Sequence, residues 1–308
     1  MRRTTRLKEL IAAPDILVMP GVHDALGVRL AEAAGFAAVI AAGYGATATL
    51  LGRPDSSQLS VTELADMYGR YCDATSLPVF ADADTGFGNV TNVERTVRLY
   101  ERAGVAGLFI EDQVFPKRCG HMAGKAVVPI EEWIAKIKAA LDARVDPDLV
   151  IMARTDALAV HGIDEAIARA QLAHEAGADL FFIEAPTSIE EMQRIVSEIP
   201  GPCLANNVET GLSPLIPAQA LQAIGYAAVV FPVSATFAAA YAMRTVFETL
   251  RATGTTEDCM ERMLSFTDFN ELVGLPAQRQ REAHLQDFAS RLTERQRLVR
   301  SSSKEETP

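Results

Sequence analysis

The sequence lacks an excess of basic residues and any long apolar run. Its 308 residues carry 40 acidic and 29 basic side chains, a formal net charge of −11. This balance argues against a nucleic-acid partner, because phosphate contacts need concentrated lysine and arginine. No apolar run approaches the roughly 20 residues of a membrane span. We therefore expect neither nucleic acid nor a membrane among the partners of this protein.

Cysteine is also scarce. Cys72, Cys119, Cys203 and Cys259 are scattered without Cys-x-x-Cys spacing, which excludes a zinc cluster and gives no disulfide framework. Cys72, Cys203 and Cys259 lie within apolar strand or helix patterns and are expected to be packing residues. Cys119 lies outside such patterns. The opening segment MRRTTRLKELIAAPD is typical of an amphipathic helix and not of a signal peptide, so we expect a cytoplasmic protein.

One local pattern recurs along the chain: a helical segment ends at a glycine and a short apolar run follows. Glycine suits the left-handed position after a helix, and each run is too short for a helix but suits a strand buried on both faces. These junctions occur at Gly35, Gly104, Gly177 and Gly225.

Other apolar runs complete the pattern. Eight strands alternating with helices favour parallel βα units that close into an α/β (β/α)₈ TIM barrel, with an open doubly wound sheet as the alternative. We predict a barrel over 1–252, a helical extension over 253–300 that packs on a neighbouring subunit, and a flexible tail over 301–308. The further strand candidates are 16–20, 78–82, 149–154, 203–206 and 227–231.

Polar residues end five consecutive apolar runs, at the rim where a barrel gathers its functional groups. A single carboxylate there is as often a helix cap or a salt bridge, but their coincidence favours a site. Asp82 and Asp84 flank one residue, so strand alternation predicts that both point the same way and that Glu111 reaches the same volume. An oxygen-only set predicts Mg²⁺ or Mn²⁺ over Zn²⁺, and Asp55 could add a ligand through water.

The segment FPKRCGHMAGK at 115–125 places Cys119 among basic residues and glycines. Cationic neighbours lower the pKa of a thiol and glycines let a loop move, so we predict a mobile acid/base cysteine. The alternative is an ordinary basic loop. His23 directly precedes a helix start and is expected to be structural or to support the site from behind.

These blocks together resemble the isocitrate lyase and phosphoenolpyruvate mutase superfamily over roughly residues 5 to 275. The matching motifs are MPGVHDAL, GRPD, DADTGFGN, IEDQ, PKRCGH, ARTDA, IEAP and FNELVGL. The KRCGH motif resembles the lyase branch, because the phosphonate-processing branches lack that cysteine. The resemblance implies a Mg²⁺-dependent enzyme and a homotetramer whose last barrel helix is exchanged between neighbours.

The resemblance also implies roles for individual residues. Asp82 would be the closest metal ligand, with Asp55, Asp84 and Glu111 acting largely through water. Cys119 would be the general acid that protonates a carboxylate enolate after a C–C bond breaks. The expected substrate-binding and remaining catalytic residues are Gly43, Tyr44 and Gly45 at the 2-oxo acid half, Arg154 at an oxyanion, Gly120, His121, Glu184 and Asn206 around the departing carboxylate, and Pro232.

Departures from the family pattern narrow the substrate. Lyases for tricarboxylates place arginines at the positions of Met122 and Phe269, so the resemblance favours a 2-alkylmalate or 2,3-dimethylmalate, and HMAGK resembles that group. Methylisocitrate lyase, oxaloacetate acetylhydrolase and a phosphonopyruvate-processing enzyme remain alternatives, as does a non-catalytic binding protein. Pro232 weakly disfavours oxaloacetate, and Ala42 stands where relatives often carry serine or threonine.

Overall fold

The computed structural model describes residues 1–122 and 124–305, with side chains to residue 297. Within that part of the chain, short parallel strands alternate with helices from the amino terminus onward. The strands are β1 (Leu17–Val22), β2 (Val39–Ala41), β3 (Val79–Asp82), β4 (Gly107–Glu111), β5 (Val150–Thr155), β6 (Leu180–Ile183), β7 (Leu204–Asn206) and β8 (Ala228–Phe231).

Most helices follow a strand, and several begin at N-cap residues that the sequence supplies. Asp24 accepts a hydrogen bond from the amide of Gly27 at the start of α2, and Ser60 and Glu63 form a capping box on α4. The predicted helical extension begins with a 3₁₀ helix, Glu257–Arg262, and a short α-helix. The α-helices are α1 (Arg3–Ile11), α2 (Ala25–Ala33), α3 (Gly43–Leu51), α4 (Val61–Ala74), α5 (Val90–Ala103), α6 (Ile130–Ala143), α7 (Leu158–His161), α8 (Ile163–Glu175), α9 (Ile189–Glu198), α10 (Ala218–Ile224), α11 (Ser234–Thr253), α12 (Phe266–Leu272) and α13 (Leu275–Glu305).

The sheet is a nearly closed barrel. Its order is β6-β5-β4-β3-β2-β1-β8-β7, with parallel pairing throughout the paired strands. A parallel bridge between Phe181 and Cys203 links the two ends of that order. The predicted barrel is therefore confirmed over the open sheet. The four junction glycines have φ between 86° and 120°, the left-handed region predicted for them.

Strand alternation divides the core into two layers. Along β5, Val150 and Met152 belong to the cluster inside the barrel, whereas Ile151 and Ala153 belong to the cluster between sheet and helices. Leu7 of α1 also joins the interior cluster and has no exposed surface. The apolar interior leaves the carboxyl ends of the strands for polar side chains.

The chain forms two compact units, Met1–Arg244 and a second from Thr245 onward. The second unit contains the 3₁₀ helix, α12 and α13. The boundary predicted after residue 252 and the flexible tail over 301–308 stay predictions, and residues 306–308 lie outside the described part. No helix among the described residues combines the length and the apolar character needed to cross a membrane.

Candidate active site

The inward register of five strands delivers the polar side chains of the site. In each strand an apolar residue of the barrel interior is followed two positions later by a polar one, since period-two alternation points both inward. The pairs are Phe80 and Asp82 on β3, Phe109 and Glu111 on β4, Met152 and Arg154 on β5, Phe182 and Glu184 after β6, and Leu204 and Asn206 on β7.

Asp84 reaches the same volume by a different route from the one predicted. Strand β3 ends at Asp82, and Asp84 has a positive φ of 47°. A left-handed turn, not strand alternation, therefore directs its side chain. The amide of Asp84 donates a 2.9 Å hydrogen bond to Oδ1 of Asp82, which closes this turn.

Asp82 is held by hydrogen bonds on every side. Its Oδ2 accepts from the amide of Gly43 at 2.9 Å. Its backbone carbonyl accepts from the phenol groups of Tyr68 at 3.1 Å and Tyr100 at 3.0 Å. A Cβ on Gly43 would lie 2.7 Å from Oδ2 of Asp82, so glycine permits this approach. The Gly43 amide, predicted to hold the 2-oxo acid, is thus engaged by Asp82.

A lysine that the sequence did not single out lies among the carboxylates. Nζ of Lys117 is 2.7 Å from Oδ2 of Asp55 and 3.0 Å from Oδ1 of Asp84. Burial opposes charge on this ammonium, but Asp84, Asp82 and Asp55 hold the pKa of Lys117 well above its ordinary value. Lys117 therefore stays charged.

The carboxylates outnumber the cations that face them. Burial raises the pKa of Asp84 to about 7, against the lowering effect of Lys117. Burial likewise raises the pKa of Glu111 well above its usual range, although Arg154 and Lys117 oppose this. Both shifts indicate that the cluster contains more buried carboxyl groups than Lys117 and Arg154 can keep ionised. Such a cluster favours an additional cation.

The donor chemistry fits a hard divalent ion. Both carboxylate oxygens of Glu111 are buried without a hydrogen-bond partner, and the 3.1 Å approach of Arg154 Nε to Oε2 is an ion pair without hydrogen-bond geometry. All four predicted ligands offer oxygen. Among the described residues, no three acidic, histidine or cysteine side chains converge closely enough to ligate one ion directly. Coordination through Asp82, with the others acting through water, is compatible with this spacing.

Arg154 forms the second charged centre. It contacts Asp156 with Nε at 3.0 Å and Glu184 with Nη2 at 3.2 Å, besides Glu111. Its guanidinium also lies over the ring of Phe182, 5.3 Å from the centroid. Although burial opposes charge, these carboxylates raise the pKa of Arg154, so it is a fixed cation at the pocket wall.

The cysteine loop, of which residues 115–122 and 124–125 are described, closes over this centre. Nε2 of His121 is 3.1 Å from Oε1 of Glu184, and Nδ1 of His121 accepts a 2.9 Å hydrogen bond from the amide of Leu212. A Cβ on Gly120 would come within 2.4 Å of Glu184, so only glycine lets the loop lie this close. The side-chain amide of Asn206 completes the group by donating to Glu184 at 3.3 Å.

The predicted effect of the loop cations on Cys119 is wrong in sign. Burial raises the pKa of the Cys119 thiol, and Glu184 and Asp55 add to the rise, while the His121 amide and Arg154 oppose it. Carboxylates engage the lysines of the loop, so their charge is not available to a thiolate. The thiol is therefore protonated at neutral pH, which suits a general acid.

One pocket contains most of the predicted site. Its lining combines Tyr44, Asp55, Asp82, Cys119, Gly120, His121, Arg154, Glu184, Asn206 and Pro232 with the apolar residues Phe109, Met122, Phe182, Val208, Val233 and Phe237. Tyr44 packs edge-on against Phe237, with ring centroids 6.0 Å apart. The cavity lining does not include Gly43, Gly45, Asp84 or Glu111, and a Cβ on Gly45 would lie 2.9 Å from Cβ of His23. Phe269 belongs to the second unit, and its predicted effect on substrate choice stays a prediction.

The sequence analysis did not single out several residues of the pocket, among them Phe237 and Lys117. Phe237 lies on α11, where an apolar helical pattern gave no sign of function. Lys117 was visible only as one of several cations near Cys119. Its immediate proximity to that cysteine was the available signal, but its carboxylate partners lie 62 and 33 residues away in sequence.

Comparisons with known proteins show which sequences this chain resembles. The family model described as phosphoenolpyruvate phosphomutase matches residues 7–251. A 2,3-dimethylmalate lyase of Eubacterium barkeri is 47% identical over 275 residues, which cover 89% of this chain and 95% of that protein. A 2-methylisocitrate lyase of Aeropyrum pernix is 42% identical over 289 residues, which cover 94% of this chain and 92% of that protein.

Solved structures show the same likeness. A crystal structure of a 2,3-dimethylmalate lyase superposes with a TM-score of 0.88 at 36% identity, covering 92% of this chain and 96% of the other. An oxaloacetate acetylhydrolase bound to 3,3-difluorooxalacetate superposes with a TM-score of 0.86 at 34% identity, covering 93% of this chain and 97% of the other. A phosphonopyruvate hydrolase with oxalate and Mg²⁺ superposes with a TM-score of 0.83 at 33% identity, covering 92% of this chain and 99% of the other.

Proposed function

This chain is an enzyme of the phosphoenolpyruvate mutase and isocitrate lyase superfamily, and from that premise we propose that it cleaves a C–C bond in an alkyl-substituted malate. The products are a 2-oxo acid and a carboxylate. The observation that carries the proposal is the pocket itself, in which Cys119, with its protonated thiol, lines the same cavity as Asp82, Asp55 and several apolar side chains.

The reaction divides between the two charged centres. We propose that Asp82, with Asp55, Asp84 and Glu111 through water, holds a Mg²⁺ or Mn²⁺ ion, which would supply Lewis acidity to the substrate oxygens. The C2 hydroxyl loses its proton, the C2–C3 bond breaks, and its electron pair passes into the carboxylate at C3. We propose that Tyr44 takes part in removing the hydroxyl proton.

Arg154, His121 and Glu184 are proposed to position the departing carboxylate, with Gly120 and Asn206 beside them. Cys119 then gives its proton to C3 and completes the second product. A thiol whose pKa is raised keeps that proton available until the enolate forms.

The apolar lining supports alkyl substituents over a third carboxylate. Met122 lies in the pocket wall together with Val208 and Phe237, where an additional carboxylate would lose water without gaining a cation. Pro232 also lines the pocket and has no side-chain hydroxyl for a hydrated 2-oxo acid. These observations disfavour methylisocitrate and oxaloacetate.

The test is release of 2-oxo acid from purified protein with Mg²⁺ and a panel of 2-alkylmalates, 2,3-dimethylmalate, methylisocitrate, oxaloacetate and phosphonopyruvate. We expect the alkylmalates to give the highest kcat/KM. Cys119→Ala should abolish turnover, and Cys259→Ala, which changes a cysteine outside the pocket, should not. A preference for methylisocitrate, oxaloacetate or phosphonopyruvate would refute the substrate assignment.

We also propose that the enzyme is a homotetramer in which neighbours exchange a helix from the region after α11. Large apolar side chains in the second unit support this, since Phe247, Phe266 and Phe288 are 65%, 87% and 62% exposed in the single chain. Sedimentation of the purified protein tests it, and a stable monomer would contradict it.

A further inference from the structure

Lys125 is a buried cation of the cysteine loop to which the proposed reaction assigns no role. Its side chain is 2% exposed, and its ion-pair partner Asp156 is fully buried. An ammonium group in such a position is costly unless it is paired and hydrogen-bonded. Its contacts are therefore the place to look for its purpose.

The ammonium of Lys125 makes two contacts that join the loop to the barrel. Nζ lies 2.8 Å from Oδ1 of Asp156 and also donates to the backbone carbonyl of Gly120. Gly120 directly follows Cys119 in sequence. One side chain thus connects the backbone beside the thiol to a carboxylate just past the end of β5.

Asp156 is a rigid anchor for that contact. Its backbone amide donates a 2.8 Å hydrogen bond to Asp112, and its Oδ2 accepts from Nε of Arg154 at 3.0 Å. The same carboxylate therefore holds the substrate-facing arginine and the cysteine loop. Burial opposes its ionisation, but Arg154 and Lys125 hold the pKa of Asp156 below its ordinary value, so it is charged.

Lys125 differs in this respect from Lys117, the other buried lysine of the loop. Lys117 binds Asp55 and Asp84, which are proposed to act on the metal, so any change to it also alters the acidic cluster. Among the described residues, the ammonium of Lys125 contacts Gly120 and Asp156 and none of the carboxylates of that cluster. Its effect on the loop can therefore be separated from metal binding.

We propose that Lys125 is the latch that holds the cysteine loop closed and so positions Cys119 in the cavity that Arg154 also lines. Its ammonium bridges Gly120 and Asp156, and without that bridge the loop opens and the thiol moves into solvent. Lys125 is a positioning residue, since it acts through Gly120 and Asp156. This role rests on the proposed function only where turnover is measured.

The first test measures the rate at which iodoacetamide alkylates Cys119, without substrate or metal, by mass spectrometry of the Cys119 peptide. We expect Lys125→Met to raise this rate roughly tenfold or more, because loop opening moves the partly exposed thiol fully into solvent and removes the burial that raises its pKa. Lys125→Arg should return most of the protection. The other cysteines are buried at 4% exposure or less and report unfolding instead.

Lys138→Met is the matched control. It removes an ammonium paired with Asp142 on the exposed side of α6, where the two side chains are 58% and 63% exposed. We expect no change in Cys119 alkylation. Asp156 keeps Arg154 as a partner in Lys125→Met, so that variant should fold, and Lys125→Gln is the substitute if it does not.

Turnover supplies the second readout. We expect Lys125→Met to lower kcat for an alkylmalate at least tenfold with a smaller change in KM, since proton transfer from Cys119 is lost while the contacts with Arg154 and the acidic cluster remain. Alkylation within twofold of the wild-type rate in folded Lys125→Met and Lys125→Gln would overturn the latch. If Lys125→Met is alkylated faster at Cys119 but the wild-type protein cleaves no malate, the latch is supported and the proposed function is refuted.

Discussion

A single methyl group at Gly120 should prevent the loop from closing. In Gly120→Ala the new Cβ would lie 2.4 Å from Cδ and Cγ of Glu184 and 2.7 Å from Nη2 of Arg154. Carbon atoms in contact normally stay about 3.5 Å or more apart, so the loop or Glu184 must move by about 1 Å. The backbone of Gly120 is not in the left-handed region, and the effect is therefore steric.

That displacement acts on the reacting groups. Glu184 is 3.2 Å from Arg154 and 3.1 Å from His121, and a shift of about 1 Å breaks one or both contacts. Misplacement of about 1 Å costs on the order of 10²-fold in rate. We expect Gly120→Ala to lower kcat/KM for an alkylmalate by about that factor.

Steady-state kinetics with 2-oxo acid detection, together with thermal melting, provide the assay. Gly69→Ala is the control, because its Cβ would meet only Ala103 at 3.9 Å and should be neutral or slightly stabilising. Gly120→Ala should melt close to wild type while losing activity. Activity within threefold of wild type would refute the closed loop geometry as the catalytic one.

Three further predictions follow from single groups. Burial raises the pKa of Cys119, and the protonated thiol is the active form, so kcat/KM should persist at pH values above the ordinary thiol pKa of about 8.5. A loss of kcat/KM at pH values below about 8.5 as the pH rises would contradict this prediction. Chelation should abolish 2-oxo acid release, Mg²⁺ or Mn²⁺ should restore it, and Asp82→Asn should weaken Mg²⁺ binding in calorimetry; unchanged binding would exclude Asp82 as a ligand. Arg169 contacts the buried Asp112 at 3.0 Å, so Arg169→Met leaves that carboxylate without its cation. We expect the variant to be destabilised by about 3–5 kcal/mol, and an unchanged melting temperature would contradict this.

Much of the architecture was readable in the sequence because its signals are local. A glycine after a helix and a short apolar run after the glycine act within a few residues, and repeated along the chain they predicted the barrel. The inward register is equally local, since a strand has a period of two. It carried Asp82, Glu111 and Arg154 to the same rim as expected.

The tertiary structure decided how the charges of that rim are shared. Lys117 and Lys125 bind carboxylates 62 and 31 residues away, on other parts of the barrel, and no local pattern specifies such pairs. As a result Cys119 loses the cations that its sequence neighbourhood offered, and burial sets its pKa instead. Asp84 similarly owes its direction to a left-handed turn. The sequence determined which groups meet, but their protonation and pairing depend on burial and on contacts made only when the loop folds over the rim.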